Sequence, residues 1–125
     1  MNEGDFMGFM VIDDSSTMRK IVGTALKAGN YEYIEAENGK DALSKLEGNK
    51  VDFFIVDFNM PEMNGIEFIK ELRKKADYAK TPVVRLTTES ENSLIEQGKS
   101  AGANAWLVKP FEKEKLLDVV KKLLS

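Results

Sequence analysis

Cysteine and histidine are both absent from this chain of 125 residues. Without cysteine no disulfide framework can form, and without either residue there is no Cys/His zinc site. The absence of histidine also excludes a histidine general base and a phosphohistidine on this chain.

Concentrated basic charge and long apolar runs are missing as well. The chain has 18 basic and 21 acidic residues, a net charge of −3 and no basic stripe, which argues against nucleic-acid binding. Its apolar runs are too short to cross a bilayer, and its first residues lack the charged and apolar regions of a signal peptide. We therefore expect a cytoplasmic protein that contacts neither nucleic acid nor membrane.

The length of the chain fits one domain over residues 1–125. A chain of this size buries about two-thirds of the surface that it exposes when unfolded, so its core forms without cross-links. The sequence contains no internal repeat, linker or low-complexity segment. We expect a single domain and a monomer.

Strand-like and helix-like patterns alternate along the chain, with short turns between them. Five short apolar runs indicate strands, and five segments with apolar residues at helical spacing indicate helices, of which the fourth, about 91–100, is weak. The second strand carries Glu32 and Glu35, so we expect it at an edge of the sheet. The alternation predicts an α/β fold with a doubly wound, five-stranded parallel sheet and five helices. The predicted strands are 9–12, 31–36, 53–56, 83–86 and 105–108.

Polar residues follow four of the five predicted strands. They are Asp13 and Asp14, Asp57, Thr87 and Lys109, and a doubly wound sheet brings these strand ends to one edge. Each residue alone has a simpler interpretation, because an aspartate can cap a helix or end a strand and a lysine can be a solvated surface charge. The coincidence of all of them at strand ends favours a functional site.

Three carboxylates clustered at this edge would not all stay ionised without a cation. Two like charges about 4 Å apart repel by about 4 kcal/mol at an effective dielectric near 20. An all-oxygen site with several carboxylates and no histidine or cysteine suits a hard divalent ion, most simply Mg²⁺. Mg²⁺ and Lys109 can neutralise phosphoryl oxygens while Asp57 attacks phosphorus and forms an acyl phosphate.

These residues resemble the signature set of response-regulator receiver domains, at matching spacing over essentially the whole chain. The resemblance is closest to single-domain chemotaxis regulators of the CheY type, and it implies a flavodoxin-like sheet of strand order 2-1-3-4-5. The residues that carry it are Asp13-Asp14, Asp57, the segment 60–65, Thr87 and Lys109-Pro110-Phe111, and further Ser16-Thr17-Met18-Arg19, Asn59 and Glu89.

The resemblance implies a metal-dependent phosphoacceptor site. Asp57 would accept a phosphoryl group from a histidine kinase or a small phosphodonor. Asp14, Asp57 and the main-chain carbonyl of Asn59 would hold Mg²⁺, and Asp13 would act through water. Lys109 would pair first with Asp57 and then with the phosphoryl group.

The resemblance also implies a switch that reads the phosphorylation state. Thr87 would swing inward to the phosphoryl group, and Trp106 would change rotamer with it and report the switch at the surface. Asn59 and Glu89 would flank the phosphoryl group and set its lifetime.

Two residues depart from the family pattern. Trp106 stands where the best-known chemotaxis regulators carry tyrosine, and a half-buried strand aromatic is its simpler interpretation. Arg85 lies inside the fourth strand, where an apolar residue is expected. We predict that its stem is partly buried and that its head reaches solvent or a nearby carboxylate.

Two classes of function fit these observations. The first is a phosphorylation-controlled binding module, with a histidine kinase as donor, an output protein such as a flagellar motor switch component and a phosphatase as partners. Within this class, the chain can instead be a phosphorelay intermediate or part of a longer regulator. The second class is a phosphotransferase of the haloacid-dehalogenase type, which needs an acid/base aspartate where this chain has Asn59. We favour the module, which catalyses only its own phosphorylation and dephosphorylation.

Overall fold

The computed structural model describes residues 8–57, 65–87, 102–109 and 111–124. Five strands form one parallel sheet in the order β2-β1-β3-β4-β5, which confirms the predicted doubly wound α/β fold and the edge position of the second strand. The strands are β1 (Gly8–Ile12), β2 (Glu32–Ala36), β3 (Phe53–Asp57), β4 (Val83–Thr87) and β5 (Ala105–Val108).

The described residues form four α-helices and one short 3-10 helix, and the last α-helix follows the fifth strand. The fourth predicted helix, about 91–100, lies outside them, so four of the five predicted helices are observed. In the part of the chain that the structure describes, none of the helices has the length and apolar character needed to cross a membrane. The helices are α1 (Ser16–Ala28), α2 (Gly39–Lys45), α3 (Gly65–Arg73) and α4 (Lys113–Leu124), with the 3-10 helix at Ala76–Tyr78.

The central strands are apolar on both faces because helices cover the sheet on both sides. Met10 and Phe54 point to the face that packs against α2 and α3, whereas Phe9 and Phe53 point to the face that packs against α1 and α4. All of these side chains are buried, and full burial of a large apolar side chain contributes about 1.5–3 kcal/mol. The two apolar layers hold the sheet, and therefore its edges, in a fixed geometry.

The turn between β1 and α1 places two of the predicted site residues. Ser15 is the N-cap of α1, and its side-chain oxygen accepts a hydrogen bond from the main-chain nitrogen of Met18 at 3.1 Å. The helix therefore begins immediately after β1, and Asp13 and Asp14 occupy the short connection at the carboxyl end of the strand.

Arg73 fastens the opposite, amino-terminal edge of the sheet. Its guanidinium donates hydrogen bonds to the main-chain carbonyls of Tyr78, Thr81 and Gly102, at distances of 2.6–3.1 Å. It also donates to the side-chain oxygen of Asn104 at 3.0 Å. These bonds join the end of α3 to the segments that lead into β4 and β5.

Arg85 is buried in the middle of β4, with 1% of its surface exposed. Its backbone lies between Val56 on β3 and Trp106 on β5, and every residue of β4 is buried. The prediction that its head reaches solvent is therefore wrong, because β4 is an inner strand between β3 and β5 and the whole side chain is buried. Burial lowers the pKa of Arg85, since removal from water disfavours the charged form. Its pairing with a carboxylate stays a prediction.

We predict that Arg85→Met leaves the free energy of unfolding unchanged or raises it by about 1–4 kcal/mol, because an apolar side chain replaces a buried charge. Denaturant titration at neutral pH measures the effect. Arg73→Met is the matched control and should lower the free energy of unfolding by about 1–3 kcal/mol, since it leaves main-chain carbonyls without their donors. A clear loss of stability in Arg85→Met would show that its charge is structurally required.

Candidate acidic phosphoacceptor site

Asp13 and Asp57 lie side by side at the carboxyl edge of the sheet. Ile12 on β1 pairs with Val56 on β3, so the next residue of each strand path is an aspartate at the same level. Both carboxylates are deeply buried, with exposures of 1% for Asp13 and 4% for Asp57. The main-chain nitrogen of Ser15 donates a hydrogen bond to Asp13 Oδ1 at 2.9 Å and fixes that carboxylate.

Lys109 reaches these carboxylates from the far side of β4. Its Nζ lies 2.6 Å from Asp57 Oδ1 and 3.4 Å from Asp13 Oδ2. Its main-chain nitrogen donates to the carbonyl oxygen of Thr87 at 2.7 Å, which anchors the base of the side chain next to the end of β4. One lysine thus contacts two acidic groups that belong to different strands.

Three carboxylates are close enough to share a cation. Oxygen atoms of Asp13, Asp14 and Asp57 all lie within 4.8 Å of one another. Asp14 is exposed while the other two are buried, so one side of the cluster is open to water. A donor set made only of carboxylate oxygens fits a hard cation such as Mg²⁺, which keeps several waters when it binds to proteins.

The charges of the site shift the pKa values of its members. Burial raises the pKa of Asp13, and the neighbouring charge of Asp57 raises it further, although the Ser15 hydrogen bond and Lys109 act in the opposite direction. Burial alone would lower the pKa of Lys109, but its hydrogen bond to Asp57 and the charges of Asp57 and Asp13 outweigh that effect and raise it. The site therefore holds a lysine that stays protonated beside the Asp13 carboxylate, whose ionised form is disfavoured.

Thr87 and Trp106 occupy the strands next to the site. Thr87 is the last residue of β4 and is buried, one position beyond Leu86, which pairs with Asp57. Trp106 lies on β5 opposite Arg85 and is 36% exposed, as expected for a half-buried strand aromatic. The proposed movements of Thr87 and Trp106 stay predictions.

Two of the predicted site residues cannot be placed. Asn59 and Glu89 lie outside the described residues, as does most of the segment 60–65. The structure thus brings Asp13, Asp14, Asp57 and Lys109 together and puts Thr87 at the end of the neighbouring strand. The individual roles of these residues stay predictions.

Arg19 is a contact of the site that the sequence patterns missed. Its Nη1 donates a hydrogen bond to the main-chain oxygen of Asp13 at 2.7 Å. In the sequence, Arg19 only extended the family resemblance, because the pattern of α1 gives no sign of a bond to a main-chain carbonyl. The sequence offered one signal for this contact: Arg19 is a basic residue in the first turns of the helix that comes after Asp13 and Asp14.

A family model described as the response regulator receiver domain matches residues 9–121. The chain belongs to this family. A chemotaxis protein CheY homolog from Campylobacter jejuni is 42% identical over 120 residues, which cover 91% of this chain and 92% of the relative. Chemotaxis protein CheY1 from Helicobacter pylori is 38% identical over 121 residues, which cover 95% of this chain and 98% of the relative.

Solved structures give the same result for this receiver domain. The structure of chemotaxis protein CheY4 from Vibrio cholerae has a TM-score of 0.90 and 38% sequence identity, and the match covers 94% of this chain and 98% of that one. The resemblance to CheY-type receiver domains is therefore confirmed. Receiver domains are the phosphoacceptor modules of two-component signalling and bind Mg²⁺ at an acidic pocket, and this chain has a cluster of three aspartates.

We predict that Asp13→Asn raises the denaturation midpoint at neutral pH in buffer without divalent cations. The folded state holds the proton of Asp13 more tightly than the unfolded state, so an ionised Asp13 costs stability above its raised pKa. The gain should shrink as the pH falls toward 3.8, the ordinary pKa of this carboxyl, and vanish below it, where Asp13 is protonated in both states.

Asp41→Asn is the control for this measurement. Burial alone would raise the pKa of Asp41, but the Glu37 main-chain hydrogen bond and the Lys45 ion pair lower it. Ionised Asp41 therefore contributes stability above its ordinary pKa, and its loss should lower the midpoint at neutral pH. A lower midpoint in Asp13→Asn as well would contradict the account of the site.

Proposed function

We propose that this receiver domain is a phosphorylation-controlled switch that accepts a phosphoryl group on Asp57. The observation that carries this proposal is the convergence of the Asp57 carboxylate, two further aspartates and the Lys109 ammonium at one sheet edge. Family membership supports phosphoryl transfer at this site and speaks against the haloacid-dehalogenase interpretation.

Asp57 is the nucleophile in this proposal. An oxygen of its carboxylate forms a bond to phosphorus while the bond from phosphorus to the donor, a histidine nitrogen of the kinase, breaks and its electron pair stays with the donor. Lys109, which contacts Asp57 Oδ1 at 2.6 Å, then donates to an oxygen of the transferred group. The Lys109 ammonium, which is already in place, thus neutralises negative charge on the phosphoryl group.

The remaining acidic residues hold the cofactor. Asp14, Asp57 and the main-chain carbonyl of Asn59 are the proposed Mg²⁺ ligands, and Asp13 acts through water. When bound, Mg²⁺ neutralises the phosphoryl oxygens and relieves the repulsion among the carboxylates. The carboxylate donors of this set lie within 4.8 Å of one another, which supports the assignment.

Thr87 and Trp106 form the readout in this proposal. The Thr87 hydroxyl hydrogen-bonds the phosphoryl group, and the movement is passed to Trp106 on the neighbouring strand. Thr87 is buried at the end of β4, and Trp106 is partly exposed on β5, so the pair spans from the site to the surface. Asn59 and Glu89 tune the rate at which water removes the phosphoryl group.

The proposed partners follow from the relatives. A histidine kinase supplies the phosphoryl group, a flagellar motor switch component is the output partner, and a phosphatase ends the signal. The relatives from Campylobacter jejuni and Helicobacter pylori are named as chemotaxis proteins, which supports a role in motor control. We further propose a single-domain monomer in the cytoplasm that binds neither nucleic acid nor membrane.

We predict that Asp57→Asn abolishes phosphorylation while the fold survives, because the amide is not a nucleophile and its neutral charge relieves carboxylate repulsion. Incubation with acetyl phosphate and Mg²⁺, followed by intact mass spectrometry, detects the phosphoryl adduct. Asp118→Asn, on the exposed face of α4, is the matched control and should be phosphorylated as the wild type is. Undiminished labelling of Asp57→Asn would remove this residue from its proposed role.

We predict that Thr87→Ala still forms the acyl phosphate but loses the gain in affinity for a flagellar-switch peptide on phosphorylation. The hydroxyl is the contact that differs between the two states, so its loss uncouples them. Thr87→Ser keeps the hydroxyl and should retain most of the gain. An equal gain in wild type and Thr87→Ala, measured by calorimetry, would refute this readout.

A further inference from the structure

The peptide group between Asp13 and Asp14 is held by a side chain from α1. Its carbonyl oxygen, which belongs to Asp13, accepts a hydrogen bond from Arg19 Nη1 at 2.7 Å. The two aspartates extend from either end of this one peptide group. A rotation of the peptide would therefore move both carboxylates of the acidic cluster at once.

Arg19 is itself fixed by a second strand. Its Nε lies 2.7 Å from Glu35 Oε1 on β2, and the side chain is only 16% exposed. Its main-chain nitrogen donates to the carbonyl oxygen of Ser15, the N-cap of α1, at 3.0 Å. Arg19, which belongs to the first turns of α1, thus joins the carboxyl end of β1 to the edge strand β2 through its guanidinium.

Glu35, the partner of Arg19, is itself held by a contact from α2. Lys45 at the end of α2 donates from Nζ to the main-chain oxygen of Glu35 at 2.5 Å. Because the Arg19 fork is planar, its two bonds, to Asp13 and Glu35, fix its orientation more firmly than one bond would. Arg19 thereby connects the Asp13–Asp14 peptide to Glu35, whose position is fixed in β2.

We propose that Arg19 is a positioning residue that sets the Mg²⁺ affinity of the acidic cluster by holding the Asp13–Asp14 peptide. This inference rests on the proposed function of the cluster. Mg²⁺ demands near-ideal octahedral geometry, so its affinity is sensitive to the placement of its carboxylates. Groups that orient metal ligands typically account for about 10–100-fold in affinity.

The positive charge of Arg19 and its positioning of the peptide change the Mg²⁺ affinity in opposite directions. A cation near the cluster repels Mg²⁺, so an effect of charge alone predicts tighter binding when Arg19 is removed. Positioning predicts weaker binding. The direction of the change in affinity therefore separates the two effects.

Titration calorimetry with MgCl₂ on the full chain tests the proposal. Arg19→Lys keeps the charge but replaces the planar fork with a single nitrogen, and it should weaken Mg²⁺ binding by about 10-fold. Arg19→Ala should weaken binding at least as much in spite of the lost positive charge. Glu35→Gln, which removes only the ionic support of Arg19, should give a smaller loss in the same direction.

Two control variants isolate the contact. Lys20→Ala removes one positive charge from an exposed neighbour on the same helix, and its Mg²⁺ affinity should stay the same or rise slightly. Arg73→Lys weakens a comparable clamp on main-chain carbonyls at the opposite edge of the sheet. It should lower the denaturation midpoint and leave Mg²⁺ affinity unchanged.

The outcomes distinguish the proposals from each other. Wild-type affinity in Arg19→Lys, or tighter binding in Arg19→Ala, would overturn the positioning role and leave the proposed function intact. An equal loss of affinity in Arg73→Lys would also overturn it, because general loosening of the fold would then explain the effect. If the wild-type chain does not bind Mg²⁺, the proposed function fails and this inference fails with it.

Discussion

Two buried carboxylates lie side by side at one edge of the sheet, and the layout of the candidate site reflects the energetic cost of that placement. Parallel strands β1 and β3 end next to each other, so Asp13 and Asp57 are forced together. The pKa of Asp13 is raised mainly by burial and further by the charge of Asp57, and the opposing effect of Lys109 does not cancel this shift. A divalent cation would lower the cost of keeping these carboxylates ionised, which is the physical reason for the Mg²⁺ site that we propose.

A rigid platform is needed to keep such charges in place. Both faces of the sheet are covered by apolar side chains, and the central strand β3 is buried along its whole length. Arginines then fasten its opposite edges, with Arg73 binding main-chain carbonyls at the amino-terminal edge and Arg19 binding the carbonyl of Asp13 at the carboxyl edge. The apolar layers stabilise the fold, whereas these hydrogen bonds fix the positions of the segments at the ends of the strands.

Periodicity and strand ends allowed most of the fold and the membership of the site to be predicted. The apolar run 53–56 and the aspartate after it were sufficient to predict a buried strand with Asp57 at its carboxyl end. The prediction that the head of Arg85 reaches solvent was wrong because its exposure depends on what covers β4, which is a tertiary property. Arg19 was missed for a related reason: its acceptor is a main-chain carbonyl, which is present at every position and leaves no trace in a sequence pattern.

The proposed role of Asp57 as the Mg²⁺-dependent phosphoacceptor can be tested directly. Reduction of the acyl phosphate with borohydride converts the modified aspartate into homoserine, and peptide sequencing by mass spectrometry then locates it. After incubation with acetyl phosphate and Mg²⁺, this account predicts homoserine at position 57 alone, and none when a chelator replaces Mg²⁺. Homoserine at another acidic position, or labelling that does not depend on Mg²⁺, would contradict it.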